Sequence, residues 1–169
     1  MNVAWTGHRP EYFANPEAVA RAVEAIAMVL HAAYGAALVF HCGGQRGVDT
    51  WAALAAQHLG LPLHLYLPLP LEQFTADWPP ADRAILERCW DYATERVVVD
   101  PTGTSWAQAY SARNRLLVER ANLLVAVWTG LAASGTGETI QLARAHRRPV
   151  EEHRFPASGR VPQPGERGV

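Results

Sequence analysis

The sequence contains no lysine; all fifteen of its basic residues are arginine. That absence excludes a P-loop lysine, a Schiff-base mechanism and a pyridoxal-lysine linkage. Any phosphate contact must come from backbone amides, hydroxyls or arginine, whose planar fork grips two oxygens at once. Cysteine is scarce too. Cys42 and Cys89 are far apart, form no C-x-x-C pair, and read as buried thiols of a reducing compartment. His41-Cys42 alone is not a zinc cluster, and nothing calls for a metal or other cofactor. Asp49 and Glu138 are carboxylates that could hold magnesium through water. An excess of one charge is also missing. A net charge of −1 over 169 residues gives no electrostatic grip on nucleic acid. No apolar run reads as long enough to span a membrane, and "MNVAWTGHRP" lacks the pattern of a signal peptide. The expectation is a cytoplasmic protein with no membrane partner and with nucleic acid disfavoured.

What is present is a globular composition, 49% hydrophobic and 18% charged. One domain over 1–155 has enough chain for a core. The tail "PASGRVPQPGERGV" is rich in Pro and Gly and is expected to be loose over 156–169. "NVAWTG" reads as a buried strand. In "NPEAVARAVEAIAMVLHAAYG", Val19, Val23, Ile26 and Leu30 share a helical face, with Asn15 as N-cap, Pro16 in the first turn and Gly35 as the stop. "ALVFHC", "PLHLYLP", "RVVVD", "NLLVAVW" and "PVEEHRF" read as further strands. The segments from Val48, Pro80, Ser105 and Gly137 read as helices between them. Strand and helix alternate throughout, and strands such as "LLVAV" are apolar on both faces. The fold class is therefore α/β, a three-layer sandwich with a mostly parallel sheet.

In such a fold ligands bind beyond the carboxyl ends of the strands. The first strand is followed by Thr6, Gly7, His8, Arg9 and Pro10; the second by Gly43, Gly44, Gln45, Arg46, Gly47 and, entering the next helix, Asp49. The fifth is followed by Thr129 and Gly130, then by Ser134, Gly135, Thr136, Gly137 and Glu138. Asp49 reads equally as a helix cap or as a hold on a ribose hydroxyl, and Arg46 as a solvated side chain or a phosphate clamp. Ser134 to Thr136 offer hydroxyls and free amides at a helix start, with Thr136 a candidate N-cap. Trp5 and Trp128 read as core residues or as walls of the cleft. Arg113 and Asn114 are neighbours on a helix and point about 100° apart. The apolar run Leu116, Leu117, Val118 implies that this turn is buried, so Arg113 needs a partner, either a carboxylate such as Glu138 or a ligand phosphate. Trp51, Trp90 and Trp106 could serve a homo-oligomer contact or the core.

"TGHRP", "GGQRGVDTWAA", the "RN" of the helix and "SGTGET" together resemble the YpsA-like branch of the SLOG superfamily. That superfamily includes the DNA-processing protein A family and the Lonely-guy phosphoribohydrolases. The resemblance runs from about Val3 to Ala145. It implies a Rossmann-like domain that binds a nucleotide or phosphoribosyl ligand. By position it implies Gly135 and Thr136 on the phosphate, with Glu138 and Arg113 acting on an N-glycosidic bond as in the Lonely-guy enzymes. Two features depart from that pattern: "TGLAAS" replaces the Pro-Gly-Gly lead-in, and Asn114 follows the arginine where those enzymes have lysine. A carboxylate beside a ribose ring would stabilise the positive charge that builds there as the bond breaks.

Overall fold

The computed structural model describes residues 1–103 and 105–159. Its strands are β1 (Asn2–Gly7), β2 (Val39–Cys42), β3 (Leu63–Leu67), β4 (Glu95–Val98), β5 (Leu123–Trp128) and β6 (Val150–Arg154). Its helices are α1 (Pro16–Tyr34), α2 (Val48–His58), the single turn α3 (Leu71–Phe74), α4 (Pro80–Tyr92), α5 (Trp106–Arg120) and α6 (Gly135–Ala145). The six strands form one sheet in the order β4-β3-β2-β1-β5-β6. Every pairing is parallel, from Val3 opposite Phe40 to Trp128 opposite Arg154. This is a Rossmann-like three-layer α/β fold.

Two apolar layers explain why the strands are hydrophobic on both faces. Val3, Trp5, Phe40 and Leu65 pack with Val19, Val23, Ala52 and Leu86 of α1, α2 and α4. Ala4, Tyr66, Leu124 and Ala126 pack with Leu117, Val118 and Ile140 of α5 and α6. The chain winds outward from β1 to β4, then α5 carries it back to lay β5 on the other side of β1. The loops after β1 and β5 therefore part at β1, the switch point where such sheets open a crevice.

Three details differ from the sequence reading. The fourth strand ends at Val98, before Asp100, because the Asp100 carboxylate accepts from the amides of Thr102, Gly103 and Ser105 and makes a turn. Helix α6 starts at Gly135, two residues early, and its N-cap is Ser134 in place of Thr136: the Ser134 hydroxyl accepts from the Gly137 amide. The segment Pro16–Ala37 is long and apolar enough to cross a bilayer by length and composition, which corrects the expectation that no run is. In this fold its inner face, Val19, Val23, Ala27 and Leu30, is buried in the core, while Glu17, Arg21 and Glu24 face water.

Beyond 155 the described chain pairs back onto the segment after β1. Ala14 donates to the Pro156 carbonyl, Ser158 to that of Tyr12, and Phe13 bridges Ala157. Residues 160–169, most of the expected loose tail, lie outside the described residues. Cys42 and Cys89 are buried free thiols. Trp51, Trp90 and Trp106 are partly buried and pack against the core.

Candidate ligand site at the switch point

A cleft opens where β1 ends and the first turns of α2 and α6 approach α5. Its lining is Thr6 and Gly7 from β1, Gln45 and Asp49 around the start of α2, Arg113, Asn114 and Leu117 from α5, and Gly135, Thr136 and Thr139 from α6. Of the residues singled out in the sequence, it thus gathers Thr6, Gly7, Asp49, Arg113, Asn114, Gly135 and Thr136. Arg113 and Asn114 both reach it although they diverge by about 100° on their helix, with Leu117 between them on the same face. Gln45, Leu117 and Thr139 were not anticipated. Gln45 sits inside the glycine loop, which was the available signal; Leu117 and Thr139 read as plain helix residues.

Arg113 dominates the interior. Its side chain is 4% exposed, and Nη1 donates to the Gly43 carbonyl and lies 3.5 Å from Asp49 Oδ2. Position 43 must be glycine for this: a Cβ there would overlap the guanidinium and approach Asp49 Oδ2 to 2.8 Å. The carboxylate partner of Arg113 is therefore Asp49 of α2, 64 positions away in sequence. Asp49 does not cap α2, whose N-cap position is Gly47; Asp49 Oδ2 instead accepts from the Gln45 amide at 3.2 Å. Burial pushes the Asp49 carboxyl up to about 6, with Arg113 and the loop amides pulling the other way. Arg113 Nε is shut from solvent and has no partner among the described residues. With this side chain in place the cavity is about 20 Å³, room for about one water.

His8 and Ser134 stand behind the cleft as a brace. Thr129 N–H donates to His8 Nδ1 at 3.3 Å, so Nε2 carries the proton and donates to Ser134 Oγ at 3.2 Å. The Ser134 hydroxyl in turn donates to the Leu131 carbonyl and accepts from Gly137 N–H. Neutral imidazole satisfies every bond in this relay, and burial pushes His8 down to about 4. The brace fixes the free amides at the start of α6, an eleven-residue helix whose dipole favours an anion. Gly137 packs so closely against the Ala132 carbonyl that no side chain fits.

The remaining candidates lie outside the lining. Arg46 is engaged at the rim: Nε donates to Asp82 at 2.8 Å and Nη2 lies 3.6 Å from Glu11, so it is no free phosphate clamp. Arg9 follows β1 and lies 3.6 Å from Glu11 through Nη1. Gly44 packs toward Leu67 and Leu86, and Gly130 turns the open loop after β5 at φ +88°. Glu138 is exposed on the outer side of α6. Trp5 is fully buried against Phe40, and Trp128 is 6% exposed beneath the Arg154 guanidinium. No group of three or more metal-ligating side chains occurs among the described residues.

No protein-family model and no curated protein matches the chain. Solved structures do. DNA processing protein A from Streptococcus pneumoniae superposes with a TM-score of 0.68 at 22% identity, over 89% of this chain and 49% of that one. DNA processing protein A from Helicobacter pylori, described as binding single-stranded DNA in a unique mode, gives 0.63 at 18% identity, over 98% and 67%. The X-ray structure of TM1055, a structural-genomics target, gives 0.59 at 19% identity, over 88% and 71%. The chain thus spans about half the length of the streptococcal protein. What these likenesses establish is the Rossmann-like fold, the one that the resemblance to the SLOG superfamily implies.

Proposed function

We propose that the cleft binds the phosphorylated sugar of a nucleotide. The observation that carries this reading is Arg113: a guanidinium 4% exposed, with an unsatisfied Nε, lining a cleft against the N-terminus of α6. Buried donors without acceptors are uncommon in folded proteins and point to an absent partner. A phosphate meets the need, since it accepts from both guanidinium and helix amides. The cavity is too small for it while Arg113 rests on Gly43 and Asp49, so binding requires the arginine to exchange Asp49 for the ligand. Thr6 and Asn114 then face the sugar hydroxyls.

The H. pylori structure raises single-stranded DNA as another ligand for this fold. The net charge of −1 and the absence of lysine weigh against it here. Hydrolysis of an N-glycosidic bond is the enzymatic extension of the nucleotide reading; Glu138, the carboxylate that the resemblance implies for it, is exposed on α6 and must turn inward to reach the sugar, whereas Asp49 lines the cleft beside Arg113. Thermal unfolding with each nucleotide is the test. A ligand at a hundred times its Kd adds about 2.7 kcal/mol of stability, and Arg113→Gln abolishes the shift. A melting temperature that no nucleotide moves sinks the reading. Release of free base that stops in Glu138→Gln while binding persists turns it into a hydrolase. Binding of single-stranded DNA with indifference to nucleotides replaces it.

A further inference from the structure

Asp49 has a single cation to answer its charge. Its side chain is 6% exposed, and Oδ2 lies 3.5 Å from Arg113 Nη1. The Gln45 amide donates to the same oxygen at 3.2 Å. The rest of the described lining is neutral: Thr6 and Gly7 of β1, Asn114 of α5, Thr136 and Thr139 of α6. The other titratable group that acts with Asp49 is the Cys42 thiol of β2. Burial, and after it the Asp49 charge, push that thiol well above its ordinary value, so it stays neutral.

The same guanidinium is what a phosphate in this cleft needs. Beside the pair the cavity is about 20 Å³, so a phosphate enters only when Arg113 leaves Asp49 and the Gly43 carbonyl. Asp49 is then left with amide donors, no cation, and an incoming anion for a neighbour. A buried carboxylate in that position takes a proton in place of staying charged. Burial already pushes Asp49 up to about 6 with the arginine beside it, and removal of the arginine raises it further.

We propose that Asp49 is a proton-coupled gate on the phosphate site: it occupies Arg113 while the cleft is empty, and yields it to a dianionic phosphate monoester by taking up one proton from solvent. The proposal rests on the nucleotide reading and adds what controls entry to that site. Its sign is distinctive. An ungated arginine binds better as pH rises through about 6, where a phosphate monoester becomes a dianion. The gated one binds more weakly as pH rises beyond that range, because each complex must draw a proton from an ever more dilute supply.

The test is calorimetric titration of ribose 5-phosphate and the four ribonucleoside monophosphates, in EDTA at about pH 7.5, in two buffers of different ionisation enthalpy. The difference between the buffers counts protons exchanged, and at this pH the ligand has already lost its second proton. Wild type takes up about one proton per ligand bound, and its Kd rises about tenfold between about pH 7 and pH 8. Asp49→Asn, which keeps an oxygen for the Gln45 amide, takes up none. Its Kd is flat over that range and, at the upper end, at least about tenfold below that of wild type. Binding to wild type without proton uptake overturns the gate, because Arg113 then serves Asp49 and phosphate at once. Uptake that persists in Asp49→Asn overturns it too, since another group carries the proton. Should Asp49→Asn fail to fold, the proton count and pH slope of wild type decide alone. Absence of binding by any of these ligands is a different result, which removes the underlying reading as well.

Discussion

Arg113 and Arg46 stand at the same end of the sheet, each beside a carboxylate from α2 or α4. The shorter contact is the rim pair, Arg46–Asp82 at 2.8 Å, with side chains 20% and 33% exposed. The longer is the inner pair, Arg113–Asp49 at 3.5 Å, with side chains 4% and 6% exposed. Distance alone would rank the rim pair first; burial reverses the order. Water can replace either partner at the rim, whereas an inner charge that loses its partner is stranded in a low dielectric. The inner pair is thus costly to break by mutation yet open to exchange for a ligand that brings its own negative charge. The rim pair holds loop to helix and has little else to give.

The sharpest way to break this contrast is Asp49→Ala. It leaves the Arg113 charge buried with the Gly43 carbonyl alone and is expected to lower unfolding free energy by about 3–5 kcal/mol. Urea denaturation reads it directly. A loss below about 1 kcal/mol would mean that Arg113 turns out to solvent, and the inner pair would then be no different from the outer one.

Acid separates the two regions next, through the brace behind the cleft. His8 is held near 4 in the fold against 6.5 for an unhindered imidazole. Between those values the unfolded chain takes a proton that the folded one refuses, so stability falls as pH drops from 6.5 to 4, by roughly 3 kcal/mol for this group. His41, bonded to Tyr66 and Asn2 and held near 3 by burial, adds a slope of the same sign. Asp49 opposes them: its folded value near 6 exceeds 3.8, so it takes up its proton earlier in the fold and stabilises on acidification over that range. The sum is a net loss in acid. Replacing His8 by Asn should flatten the limb below pH 6.5. Limbs of wild type and variant that run parallel would show that His8 titrates normally.

The sequence revealed the layers more readily than the partners. Parallel strands covered on both sides must be apolar throughout, and "LLVAV" says so without help. The burial of Arg113 was legible from Leu116, Leu117 and Val118 beside it. That Asp49 would meet it was not, because the contact depends on how α2 and α5 approach around Gly43, a matter of tertiary packing. The outward turn of Glu138 was legible but easily missed. Thr136, Thr139, Ile140 and Ala143 follow the spacing of a buried helical face, and Glu138 lies about 100° or more away from each of them. Placing the helix start at Gly137 instead of Gly135 hid that face. The brace was hidden for another reason: a histidine bonding to a hydroxyl 126 positions away leaves no local pattern.

The smallest effect belongs at the rim, and it is informative because it should be small. Asp82→Asn removes the negative charge 2.8 Å from Arg46 Nε but leaves an amide oxygen to accept there, Glu11 within 3.6 Å of the same guanidinium and water within reach. The expected cost is about 0.2–1 kcal/mol, shrinking as salt is added. A cycle with Arg46→Gln isolates the pair itself, and its coupling should fade at 1 M salt, where the screening length is about 3 Å. The same cycle on Asp49 and Arg113 should keep its coupling in salt, since neither side chain has solvent ions beside it. If the rim coupling exceeded about 2 kcal/mol and resisted salt, burial would not be what divides the two pairs, and the ranking would revert to distance.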